Sequence, residues 1–369
     1  MDITDLLAYT QHQQASDLHI SSGNQALIRL KGDMIAIRTM PPLEPQTIKD
    51  MLYSVMNDQQ RSKYEAELEI DFSIAFGAEA RFRVNAFNTM HGPAAVFRTI
   101  PTRVLTLDEL NAPPIFYKLT ELHKGLILVT GATGSGKSTT LAAMIDHINT
   151  HQRRHIITIE DPIEFVHQSK QSLINQREVG ASTRSFARAL KSSLREDPDI
   201  ILVGELRDIE TIQLALTAAE TGHLVMGTLH TNSAPKTIDR IIDIFPTTDK
   251  EMARAMLSVS LEGVIAQTLV RKADGSGRVA AHEIMLGTPA VRNLIRESKI
   301  PQLYSIIQTG SKFGMKTMKD SLNDLVIKRI ITEEEMQGVL ATSSDLEDTS
   351  KISSTSSTSS NTKFNSNSF

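Results

Sequence analysis

Residues 131–138 read Gly-Ala-Thr-Gly-Ser-Gly-Lys-Ser and satisfy G-x-x-x-x-G-K-[ST] at every fixed position. Glycines at 131, 134 and 136 let the backbone curl until successive N–H groups point inward at an anion. Lys137 is long enough to reach the β- and γ-phosphates of a nucleotide, and the Ser138 hydroxyl can ligate Mg²⁺. The candidate nucleotide-binding segment is therefore Gly131, Ala132, Thr133, Gly134, Ser135, Gly136, Lys137, Ser138 and Thr139. The flanks agree. Residues 125–130 (Gly-Leu-Ile-Leu-Val-Thr) read as a buried parallel strand, and Leu141, Met144, Ile145 and Ile148 recur at helical spacing. Strand, glycine loop, helix places phosphate on a helix N-terminus.

That unit needs a sheet around it, and the chain supplies one. From about residue 121, strands predicted at 125–130, 155–160, 172–176, 200–204, 224–230 and 264–271 alternate with helices at 138–149, 185–196, 209–220, 234–244 and 250–260. Such alternation predicts a mostly parallel α/β core over 121–288. Residues 1–99 lack it. There, helices at 3–14, 45–53 and 58–65 are mixed with strands at 18–20, 26–30, 34–38, 69–75, 81–87 and 94–100, which suggests an α+β domain with an antiparallel sheet. The stretch 100–120, with Pro101, Pro113 and Pro114, reads as the connection. Residues 289–342 read as a helical region (289–297, 301–308, 314–328 and 332–340), and the Ser-rich 343–369 as a disordered tail.

Composition removes several classes. Cysteine is absent, which excludes disulfides, thiol catalysis and cysteine-ligated zinc. No run of 18 apolar residues occurs, no signal peptide is read at the N-terminus, and a cytoplasmic location is expected. The net charge of −4 gives no overall basic footprint for nucleic acid.

Three further segments carry chemistry. Residues 199–205 (Asp-Ile-Ile-Leu-Val-Gly-Glu) form an apolar strand that ends in an acid, with Gly204 where aspartate is usual. Glu205 there could hold Mg²⁺ through a water, orient an attacking water, or both. Residues 156–164 end likewise in Glu160 and Asp161, with Glu164 read as solvated. In a doubly wound sheet the carboxyl ends of the strands line one crevice, so Glu160, Asp161 and Glu205 are expected near the γ-phosphate. Residues 221–231 put His223 and His230 at opposite ends of one strand, too far apart to share an ion. Either could bond a phosphate oxygen or a catalytic carboxylate, or be structural. Finally, Arg81, Arg83 and Asn85 share a strand face by period 2, with Arg98 on a later strand. They suit a phosphate clamp or are a solvated basic face. Arg184, Arg188, Arg195 and Arg207 are further arginine-finger candidates.

The ordered series of phosphate loop, acidic box (159–165), Gly-Glu strand end and histidine box (221–231) resembles the secretion and pilus motor ATPase superfamily, and within it the type IV pilus retraction, or twitching-motility, family. The likeness runs from residue 1 to about 340. It includes 15–20 (Ala-Ser-Asp-Leu-His-Ile), 80–87 (Ala-Arg-Phe-Arg-Val-Asn-Ala-Phe), 194–205 and 287–295 (Gly-Thr-Pro-Ala-Val-Arg-Asn-Leu-Ile). It implies an α/β RecA-like P-loop ATPase core with an α+β PAS-like N-terminal domain and a helical C-terminal region, assembled as a homohexamer. It also implies ATP bound between the domains with Mg²⁺, and pilus disassembly for twitching motility as the output. By match, Glu160 and Glu205 take catalytic acidic roles, His230 the histidine-box role, Lys137 the phosphate contact, and Arg81, Arg83 and Arg98 are candidates to close on nucleotide. The implied partners are an inner-membrane platform protein of the pilus machine and a retraction-ATPase paralogue, with the ring peripheral at the cytoplasmic membrane and no nucleic acid bound. Ala132 replaces a common proline and Val291 a frequent isoleucine, and the Ser-rich tail has no counterpart.

Competing readings make different demands. Pilus-assembly and type II secretion ATPases usually carry a four-cysteine metal module, which this chain cannot form. An accessory retraction paralogue stays open. A RecA-like nucleic-acid translocase would want a basic channel and stacking aromatics, but Trp is absent and Tyr numbers five. A small-molecule kinase would not need an N-terminal domain of this size.

Overall fold

The computed structural model describes residues 2–341 apart from 31, 39, 78–79 and 101–102, so the expected Ser-rich tail lies outside the described residues. Asp2 starts the first helix, α1 (Ile3–His12), through a reciprocal capping box with Asp5. Strands β1 (Asp17–Ser21), β2 (Leu27–Leu30) and β3 (Asp33–Ala36) follow, then α2 (Pro45–Val55) and α3 (Asp58–Glu67). Strands β4 (Glu69–Phe76), β5 (Ala80–Thr89) and β6 (Gly92–Ile100) complete this lobe. The sheet runs β3-β2-β1-β6-β5-β4 with every pairing antiparallel. Its alternation sorts the two faces. On β5, Ala80, Phe82, Val84 and Ala86 enter a core with Leu6, Ile48 and Leu52, while Arg81, Arg83 and Asn85 point away from it.

The second lobe begins with α4 (Pro114–Thr120). It continues through β7 (Gly125–Thr130), α5 (Lys137–His151), β8 (His155–Glu160), β9 (Leu173–Glu178), α6 (Phe186–Ser193), β10 (Ile200–Val203) and α7 (Ile209–Glu220). Next come β11 (Leu224–Leu229), α8 (Ala234–Asp243), α9 (Lys250–Ser260), β12 (Leu261–Arg271) and β13 (Arg278–Leu286). The remaining helices are α10 (Pro289–Arg296), α11 (Leu303–Thr309) and α12 (Met318–Ile327), and the chain is helical again from 333. The sheet order is β13-β12-β7-β11-β10-β8-β9, parallel except for the antiparallel β12–β13 pair. Strand β7 is buried along its whole length. Leu126 and Leu128 feed the core under α6 to α10, while Ile127 and Val129 feed the opposite core under α4 and α5. Both faces are covered, as an all-apolar parallel strand requires. None of the helices among the described residues is long and apolar enough to cross a membrane.

Two elements differ from expectation. Residues 114–120 were read as connection, yet they form α4, whose Phe116 and Leu119 are buried against α5 and β7. Pro114 sits in the first turn, where a missing N–H costs nothing, so the prolines start a helix rather than prevent one. Strand β13 was not anticipated. It returns antiparallel to β12 after a turn through Gly275 and Gly277, both at positive φ.

Candidate nucleotide site

The phosphate loop leaves β7 and turns into α5. Gly131 has φ +144°, and a Cβ there would stand 2.3 Å from the Gln267 carbonyl oxygen. A Cβ on Gly136, at φ +87°, would stand 2.8 Å from Gln267 Nε2. Glycine is thus required at both positions by backbone conformation and by a neighbour on β12. That neighbour is a bolt. Gln267 Nε2 donates to the Ser135 carbonyl at 2.6 Å, and Thr140 Oγ1 donates to Gln267 Oε1 at 2.8 Å. No motif in the sequence marked Gln267; its place opposite the loop emerges only from the β7–β12 pairing.

Gly136 caps α5 without any side-chain acceptor, so first-turn N–H groups remain directed at the loop. Lys137 is buried, and its ammonium donates to the Gly131 and Ala132 carbonyls at 2.8 and 3.0 Å. Burial lowers its pKa, opposed by the charges of Glu205 and Glu164. The Ser135 hydroxyl is buried without a partner. An uncapped helix start, a cation held on weak carbonyl partners and an orphaned hydroxyl together fit a bound phosphate. Ser138 lies in the first turn of α5, beside Lys137.

Acidic groups gather at the same sheet edge. β8 ends at Glu160, and Glu205 follows β10, its parallel neighbour. Gly204 explains itself here. A Cβ would lie 3.2 Å from the Ile159 carbonyl oxygen and 3.3 Å from Glu160 Cα, so an aspartate here would require the two closely approaching strands to shift by a few tenths of an ångström. Burial raises the pKa of Glu160, against hydrogen bonds from Thr158 Oγ1 at 2.7 Å and Gln176 Nε2 at 3.2 Å. Glu205 behaves oppositely. Burial works to raise it, but Arg207 at 2.5 Å and His230 Nε2 at 3.0 Å prevail and hold it below the ordinary carboxylate value. His230 follows β11, which lies between β7 and β10, so the strand order itself brings the histidine between the phosphate loop and Glu205. His223, at the other end of β11, bonds the Ala218 carbonyl through Nδ1 at 3.1 Å, a local contact at the far side of the sheet. Glu164 is exposed, as its sequence reading has it, and its charge reaches Lys137.

The N-terminal arginines are paired within their own chain. Arg98 Nε donates to Asp17 Oδ1 at 2.9 Å, and Arg83 lies 3.8 Å from Asp71. Arg81 Nη2 donates to Ser73 Oγ at 2.9 Å and lies 3.3 Å from Glu178 on β9. Arg184, Arg188 and Arg195 are exposed around α6. A cavity of about 240 Å³ opens beside Gly136, Thr139 and Thr140, walled mainly by Leu110, Ala112, Phe116, Leu269 and Val279. It adjoins the phosphate loop on the side away from Glu205 and is mostly apolar.

The family model of the Type II/IV secretion system protein matches residues 2–304. The Type IV pilus retractation ATPase PilT of Pseudomonas aeruginosa is 60% identical over 334 residues, covering 90% of this chain and 96% of that protein. A Twitching motility protein of Neisseria gonorrhoeae is 60% identical over 327 residues, 87% of each chain. Among solved structures, the pilus retraction motor PilT with bound ADP superposes with a TM-score of 0.85 at 46% identity, covering 91% of this chain and 96% of that one. The chain belongs to the type IV pilus retraction ATPases, ATP-hydrolysing motors of the type II/IV secretion family.

Proposed function

We propose that this protein hydrolyses ATP to drive retraction of type IV pili, as a homohexamer acting on an inner-membrane platform protein at the cytoplasmic face, alone or with a paralogue. The observation that carries this reading is 60% identity to a retraction ATPase along nearly the whole chain, with the phosphate loop, Glu205 and His230 converging at one sheet edge. Residues 1–99 would be the moving PAS-like lobe, 121–288 the RecA-like ATPase domain and 289–342 the C-terminal helical region.

In this reading the phosphates of ATP settle on the N–H groups of residues 131–139. Lys137 exchanges its loop carbonyls for phosphate oxygens, and the apolar cavity takes the base. Mg²⁺ would be held by Ser138 and, through water, by Glu205, where it supplies charge neutralisation on the terminal phosphates. Glu205, locked by His230 and Arg207, orients the attacking water; Glu160, whose burial raises its proton affinity, accepts the proton. Arg81, Arg83 and Arg98 would leave their acidic partners and close on the nucleotide when the lobe swings. Deleting the gene in its host tests the output. Hyperpiliated cells that do not twitch are expected, and normal fibre loss would overturn the retraction role.

A further inference from the structure

Glu178 joins the two lobes. Its carboxylate accepts from Ser73 Oγ on β4, at 3.1 Å to Oε1 and 3.3 Å to Oε2, and faces Arg81 on β5 at 3.3 Å. The same Oε2 accepts the backbone N–H of Ile163 at 3.0 Å, in the middle of the acidic loop that follows β8. The ion pair is sheltered, with side chains 24% and 13% exposed. Arg81 Nε is buried without an acceptor, so the guanidinium is engaged at one end only.

The acidic loop is anchored again further on, where Gln176 Nε2 donates to the Phe165 carbonyl at 2.8 Å and the His167 N–H donates to Gln176 Oε1 at 2.7 Å. Glu178 sits opposite Glu160 in the β8–β9 register, and Val179 N donates to the Glu160 carbonyl at 2.9 Å. One residue past Ile163 lies Glu164, whose N–H bonds Glu160 and whose charge reaches Lys137. A continuous path therefore runs from the N-terminal sheet, through one carboxylate, to Glu160 and to Glu164, the acid whose charge reaches Lys137.

We propose that Glu178 is a positioning residue that ties the N-terminal lobe to the acidic loop, so that the lobe's orientation sets where Glu160 and Glu164 stand relative to Lys137. The proposal rests on hydrolysis occurring at the phosphate-loop site. When Ser73 and Arg81 move with their sheet, Glu178 is drawn with them or released from them, and Ile163 follows through its N–H. Turnover then depends on lobe position through this connection, in addition to the arginines of that lobe that close on nucleotide.

The test uses full-length protein. Glu178→Gln keeps an oxygen for Ile163 but gives up the charge facing Arg81. It should lower kcat about tenfold, with KM and the affinity for a fluorescent ATP analogue held within about twofold. Ser73→Ala, a milder change that serves even if Glu178 variants fold poorly, should lower kcat less. The double variant should lose less than the product of the single effects, because both act on one connection. Lys137→Ala is the control. If Lys137→Ala is inactive while Glu178→Gln keeps its kcat, or loses only affinity, the coupling is refuted and the site stands. If Lys137→Ala retains turnover, the site itself is misassigned and the coupling falls with it.

Discussion

Replacing Gln267 with leucine tests how the phosphate loop is held. Leucine fills a similar volume but offers no hydrogen bonds, and position 267 is only 4% exposed. Two bonds disappear, Nε2 to the Ser135 carbonyl and Thr140 Oγ1 to Oε1. A buried polar group left without its partner costs about 1–3 kcal/mol. The Thr140 hydroxyl can rotate toward another acceptor, so its loss falls at the lower end, and the total should be about 2–4 kcal/mol. Urea unfolding of nucleotide-free protein should show that loss as an earlier midpoint with an unchanged slope. ATP affinity should fall at least tenfold, the equivalent of about 1.4 kcal/mol, because the loop N–H groups are no longer pre-aimed. Adding Thr140→Val to Gln267→Leu removes the stranded hydroxyl and should cost less than the sum of the single changes. If Gln267→Leu unfolds at the parental midpoint and binds ATP as the parent does, the loop is held by its own geometry and the bolt argument is wrong.

Four more outcomes follow from the same contacts. Lys137→Ala should abolish ATP turnover in a phosphate-release assay, whereas Glu205→Ala should retain nucleotide binding and stop hydrolysis; near-parental turnover in Glu205→Ala would remove its assigned role. Phe116→Ala should destabilise the protein by about 3–5 kcal/mol in denaturant titration, since Phe116 is 1% exposed in the core under α5. Gly131→Ala should eliminate nucleotide binding in equilibrium dialysis, because the added methyl meets the Gln267 carbonyl. Burial, aided by Lys316, depresses the His282 pKa to about 4 from 6.5. The folded state therefore keeps this imidazole neutral, its contribution is complete above pH 6.5, and about 3 kcal/mol is lost as pH falls toward 4. His282→Gln should flatten that part of a stability-versus-pH curve, incompletely, since His19, His147 and His167 shift in the same direction.

The motifs were legible because each is a local string whose backbone demands are written in its residues. The glycines of the phosphate loop and the apolar strands β7, β8, β10 and β11 have near-continuous hydrophobic runs that permit one reading. The expectation that Glu160, Asp161 and Glu205 share one edge came from the rule that parallel strands present their carboxyl ends together, and β8 and β10 are parallel neighbours. For His230 the sequence left a phosphate oxygen, a catalytic carboxylate or a structural role open, and the structure places it on Glu205. Gln267 was invisible because its importance lies in a pairing between residues more than a hundred positions apart. Strand β13 was missed because Ala280, Ala281, His282 and Glu283 break the apolar pattern of a strand, and α4 because Pro113 and Pro114 were weighed as breakers rather than as helix-starting residues. The Ser73–Glu178 contact crosses between lobes, and nothing in either segment alone announces it.

Because α4 is welded to the catalytic lobe, and Leu107 just before it is 2% exposed in the same apolar cluster, the leash between the lobes is much shorter than the stretch of sequence separating them suggests. From Ile100 to Leu107 the chain can span no more than about 25 Å when pulled taut. A leash that short bounds how far the two lobes can part. Any mechanical stroke in this protein is consequently confined to displacements that keep the first sheet within that reach of the second lobe.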